Sequence, residues 1–88
     1  MRIPHVESAR HLRGHRIWLR FDDGVEGEID LAGDLEGEVF QPLRDPAYFA
    51  RFSVDDTLVW PNGADFAPEF LHERVRRAAL RAERLERE

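Results

Sequence analysis

Apolar and polar residues alternate in Arg16-Ile17-Trp18-Leu19-Arg20-Phe21, which places Ile17, Leu19 and Phe21 on one face and predicts a half-buried strand. Upstream, residues 3–12 alternate more loosely, and Gly14 breaks the run. Asp23-Gly24 accepts the positive φ of a type I′ turn, and Val25 to Leu31 then sets Val25, Ile29 and Leu31 on one side with acids on the other. A β-hairpin over about residues 16–31 is the expectation. Trp18 falls on the face opposite Ile17, Leu19 and Phe21, so the strand shows one aromatic ring to solvent or to a partner.

Residues 32–38 are rich in glycine and acids and read as a loop. Phe40-Gln41-Pro42-Leu43 suits one helical turn. Asp45 to Phe52 predicts a short helix with Asp45 as N-cap and Pro46 in its first position, from which Tyr48, Phe49 and Phe52 reach the sheet. Ser53-Val54 and Thr57-Leu58-Val59-Trp60 flank Asp55-Asp56 as a second hairpin, stopped by Pro61-Asn62-Gly63.

From about Ala67 the period becomes helical, with Asp65 as its cap, Pro68 in the first turn and Glu69 at the positive end of the dipole. Leu71, Val75, Ala78, Ala82 and Leu85 recur at intervals of four, three, four and three, a narrow apolar seam. Glu73 with Arg77 and Glu83 with Arg87 add i,i+4 pairs. Run to the C-terminus, this helix is about 33 Å long, more than a sheet of short strands needs as cover. Its last turns are expected to project or to meet something.

The predicted fold is α+β: a small antiparallel sheet of about four or five strands built from hairpins, packed by a short middle helix and a long C-terminal one. Eighty-eight residues support one core. Residues 1–71 form the compact body, and 72–88 continue the C-terminal helix rather than forming a separate domain.

Composition narrows the function. The net charge of −5 is unevenly distributed: residues 1–21 carry five arginines against Glu7, whereas 22–38 carry eight acids and no base. That acidity argues against a duplex DNA binder working by phosphate neutralisation and leaves room for a basic protein partner. All thirteen basic residues are arginine, which reads as compositional bias. No stretch approaches the roughly 20 apolar residues of a membrane span, the N-terminus lacks the apolar region of a secretory signal, and there is no cysteine; the expected location is the cytoplasm.

Chemistry-bearing residues do not assemble into a pattern. Asp30, Asp34, Glu36 and Glu38 lack the spacing of a calcium loop and read as a solvated face. His5, His11, His15 and His72 read as scattered surface residues; His11 and His15 would align on a helix, but their segment reads as strand and turn. Ser8, Ser53 and Thr57 sit in no nucleophile motif, and no glycine-rich phosphate loop follows a strand. The expectation is therefore no enzyme, no metal and no cofactor. In Trp60-Pro61-Asn62-Gly63-Ala64-Asp65, a strand-ending Trp60 and an Asn-Gly turn lead into the helix, and Trp60 with Asn62 also offers a contact surface.

The order of these motifs resembles a small bacterial family, domain of unknown function 2442. Phe21-Asp22-Asp23-Gly24, Asp30-Leu31, Leu35 through Asp45, Phe49, and Trp60 through Leu71 carry the likeness, which covers roughly residues 3–72. The resemblance implies a compact α+β domain; some members are linked to helix-turn-helix regulators, others to a second small protein in toxin–antitoxin-like gene pairs. It supplies no catalytic residues. This chain departs from it in ending in an arginine- and glutamate-rich helix rather than a DNA-binding domain.

The functional expectation is a protein-interaction module, the antitoxin-like or regulatory member of a two-protein system. Trp18, Trp60, Asn62 and the seam of Leu71, Val75, Ala78, Ala82 and Leu85 are its partner-binding candidates. The alternative is a nucleic-acid-associated regulator using Arg74, Arg77, Arg81 and Arg84, weakened by interleaved glutamates. A small enzyme with an unrecognised site comes third. Alanines 78, 79 and 82 permit at most a weak helix-mediated homodimer.

Overall fold

The computed structural model describes residues 3–86, with side chains described through residue 80. Three antiparallel strands, β1 (Val6–Arg13), β2 (Arg16–Phe21) and β3 (Glu26–Asp30), form one sheet in that order. Two 3-10 segments follow, Ala32–Asp34 and Glu38–Arg44, then the one-turn helix α1 (Pro46–Phe49). A short hairpin, β4 (Ser53–Val54) with β5 (Leu58–Val59), leads to the long helix α2 (Pro68–Glu86). The fold is α+β as expected, with the five strands divided into sheets of three and two.

The alternation in β2 places Ile17, Leu19 and Phe21 at zero exposure, facing the core with Ile29 and Leu31. The β2–β3 connection differs from the predicted two-residue type I′ turn. Positive φ at both central residues defines that type, whereas here Gly24 takes φ 89° and Asp23 does not have positive φ. The Gly24 amide donates to the Phe21 carbonyl and the Phe21 amide to the Val25 carbonyl, a three-residue loop with glycine in the left-handed position. The Asp55-Asp56 turn puts Asp56 at φ 61°, and the Asp56 carbonyl accepts from the Val6 amide, joining the hairpin to the edge of β1. Register shifts interrupt β1 between Val6 and Ser8 and between His11 and Arg13.

Asp45 caps α1 as predicted, its carboxylate accepting from the Ala47 amide, but the helix ends at Phe49. Phe49 is fully buried beside Trp60, with ring centroids 5.5 Å apart, and its carbonyl accepts the indole N–H at 2.7 Å. Satisfying that donor is what lets the indole sink into the core.

α2 lies across β3. Leu71 and Val75 are fully buried, and the strand makes room for them at Gly27, where an added Cβ would stand 3.2 Å from Val75 Cγ1. Asp65 does not sit at the helix start; its backbone bridges to Val59, and it is the Ala67 carbonyl that accepts the Phe70 and Leu71 amides. Two polar clamps fix the helix laterally. His72 Nε2 meets Asp23 Oδ2 at 2.8 Å while its ring packs edge-on against Phe21. Arg74 pairs with Asp34 and donates to the Asp30 carbonyl at 2.9 Å.

The Val25 amide holds the Asp23 carboxyl below the ordinary carboxylate range; partial desolvation works against it, and the His72 imidazole adds to the lowering. A carboxyl lowered on folding stabilises the native state fully above its unfolded value, near 4, and loses that contribution as pH falls through the lowered one. Asp23→Asn keeps an oxygen for the Val25 amide but not the charge. Urea denaturation below about pH 4 should therefore show wild type losing more stability than the variant. At Gly27, Leu should destabilise by about 2 kcal/mol through overpacking against Val75, whereas Ala should change stability by less than about 1 kcal/mol.

Candidate functional site

The turn after β5 builds the most developed surface feature. Gly63 at φ 89° lets its amide return to the Trp60 carbonyl, and the Trp60 amide donates to the Ala64 carbonyl. Asn62 braces the turn twice: Oδ1 accepts the Ala64 amide at 3.1 Å, and Nδ2 donates to the Val39 carbonyl at 2.8 Å. Phe66 is thereby set 8% exposed beneath the surface, its carbonyl accepting the buried Thr57 hydroxyl at 2.6 Å. One helical turn on, Phe70 stands 37% exposed.

Phe40 arrives from the second 3-10 segment, anchored by the buried Leu43. Its ring stacks on Phe66 at 5.0 Å with planes 20° apart, and Phe66 stacks on Phe70 at 5.6 Å and 15°. Three nearly parallel rings thus floor an open groove of about 480 Å³, rimmed by Asp34, Glu36 and Asp65. Asp34 is neutralised by Arg74, whose guanidinium carbon also lies 5.9 Å from the Phe70 centroid. Glu36 and Asp65 are exposed and have no cationic partner among the described residues.

The predicted contact residues do not form one surface. Trp60 is 2% exposed, and Leu71 and Val75 are fully buried against the chain's own sheet, so the partner-facing roles assigned to them are corrected: their apolar area is already covered. Ala78 packs partly against the same core, and the side chains of Ala82 and Leu85 lie outside the described residues. Asn62 is exposed but binds backbone on both sides of its own amide. Trp18 does lie on the outer face of the sheet, half-buried under Arg10, whose guanidinium carbon is 5.2 Å from its ring.

Of the arginine set, Arg74 is held by Asp34 and the Asp30 carbonyl, and Arg77 by Glu73 at 3.0 Å; the side chains of Arg81 and Arg84 lie outside the described residues. His11 and His15 each pack a ring edge-on against Phe49, at 6.1 and 4.8 Å. Their Nε2 atoms bond to the Gly14 and Leu43 carbonyls. His72 is an anchor of α2 rather than a scattered surface residue. Among the described residues no group of three or more histidines or acids is arranged to hold a metal ion.

Sequence reasoning passed over Phe40, Phe66 and Phe70. Phe70 stands one residue ahead of the Leu71 seam, while Phe66 lies before α2, so no helical period joins the two. Phe40 lies far enough away in the chain that no periodicity links it to them.

The features together define a small α+β domain carrying an open, acid-rimmed aromatic groove. No helix of the described chain is long and apolar enough to cross a membrane. The chain belongs to the family described as protein of unknown function (DUF2442), whose sequence model matches residues 6–77, a span that includes every groove residue named above. No curated protein and no solved structure gives a significant match.

Phe66 and Phe70 should separate in thermal melts. Phe66→Ala should cost about 3 kcal/mol by opening the core, while Phe70→Ser should cost less than about 1 kcal/mol and leave the fold intact.

Proposed function

We propose that this chain is a non-enzymatic protein-interaction module that receives a partner protein in the acid-rimmed groove. The observation that carries this reading is the stack of Phe40, Phe66 and Phe70 at the floor of an open surface depression. Aromatic rings stacked on a core ring favour hot-spot contacts. Val39, 47% exposed and adjacent to Phe40 in the chain, extends the apolar surface next to the groove.

In its specific form the chain is the regulatory or antitoxin-like member of a two-protein system in the cytoplasm, with the acidic rim selecting a basic partner. A nucleic-acid role for Arg74 and Arg77 would require phosphates to displace carboxylates that already hold both side chains. The groove's own charge is of the wrong sign for phosphate.

Co-expression with the product of the adjacent gene tests the proposal. Wild type should co-purify with it and relieve any toxicity it has, and Phe70→Ser, still folded, should retain at least about tenfold less of it. A complex that survives the substitution undiminished, or no complex with wild type, would refute this reading.

A further inference from the structure

Resting on the interaction reading and extending it to the chemistry of the occupant, we infer that the groove takes an arginine side chain of the partner protein. Its aliphatic stem lies along the phenylalanine floor and its guanidinium bridges Glu36 and Asp65.

Charge supports the choice first. Of the three rim carboxylates Asp34 already has its cation, and Glu36 with Asp65 leaves two negative charges above an apolar floor. A neutral apolar segment laid there would strip water from both and return nothing, and an acidic or phosphorylated one would be repelled. The floor supports it second. Phe40 and Phe70 stack on Phe66, so the floor is an apolar row of ring edges and part-faces; the methylene stem of an arginine packs along it while the planar guanidinium presents a fork of donors to carboxylates. An ammonium group has neither the plane nor the fork, so lysine fits less well.

The chain already contains one example of the arrangement. Arg74 binds Asp34 with its guanidinium carbon 5.9 Å from the Phe70 ring centroid, an arginine held jointly by a carboxylate and a phenylalanine of this groove. Glu36 and Asp65, with no cationic partner among the described residues, would take an arginine from outside in a comparable way beside Phe40.

The test is NMR titration of the full chain at low ionic strength with capped pentapeptides having one central residue between leucines. That residue is arginine, lysine or citrulline, the last matching arginine in shape without its charge. The arginine peptide should shift the amides of Glu36, Phe40, Asp65, Phe66 and Phe70. It should bind at least about tenfold more tightly than the citrulline peptide, and lose a similar factor in a Glu36→Gln, Asp65→Asn double variant with an unchanged melting temperature.

Equal binding of arginine and citrulline peptides, shifts elsewhere, or no shifts at millimolar peptide would overturn the inference. So would groove shifts that grow with protein concentration alone, which would make a second copy the occupant. The two proposals fail separately. Loss of the co-purified partner in Phe70→Ser without arginine selectivity leaves the interaction reading standing alone, and arginine selectivity with a partner indifferent to Phe70→Ser removes that reading instead.

Discussion

A buried indole must still place its N–H on an acceptor, and the position of Trp60 follows from that requirement. Its Nε1 donates to the Phe49 carbonyl at 2.7 Å, which ties the end of α1 to the end of β5 across eleven residues of chain. With the donor satisfied, the ring sits 2% exposed and orders its neighbours: Phe49 on one side, Phe52 at 6.2 Å and Phe66 at 5.7 Å. The aromatic contacts then run outward from Phe66 to Phe40 and Phe70. The groove is the outer end of a chain of rings whose inner end is the core.

The helix shows how one apolar stripe is divided between structure and surface. Leu71 and Val75 point into the sheet, where Gly27 leaves a slot in β3, while Phe70, one residue ahead of Leu71, turns outward. Because His72 and Arg74 fasten the same turns to the β2–β3 loop and to Asp34, the orientation of Phe70 is set from both flanks.

Much of this was readable from the chain. Alternation in β2, the capping Asp45, the Asn-Gly turn and the helical period after Ala67 are local signals, and the α+β fold follows from them. The destination of the helix seam was not readable. A period of 3.6 shows that Leu71 and Val75 need cover but not what covers them, and a glycine in a strand does not announce the helix above it. The packing of His11 and His15 on Phe49 was not readable for a related reason, since it joins residues more than 30 positions apart. The groove itself joins residues 34–40 to 65–70, and no one-dimensional pattern connects segments that meet only after the hairpin of β4 and β5 folds between them.

The interruptions in β1 bear on how this molecule lives among its own copies. A flat outer strand offers unpaired amides and carbonyls in regular register, an invitation to endless lateral stacking. Here the pairing of β1 with β2 slips at Val6/Ser8 and His11/Arg13, and on the outer side the Val6 amide is already taken by the Asp56 carbonyl. A neighbouring molecule arriving along that side finds an irregular strand whose first rung the β4–β5 hairpin already holds, so a further strand has no continuous seat there.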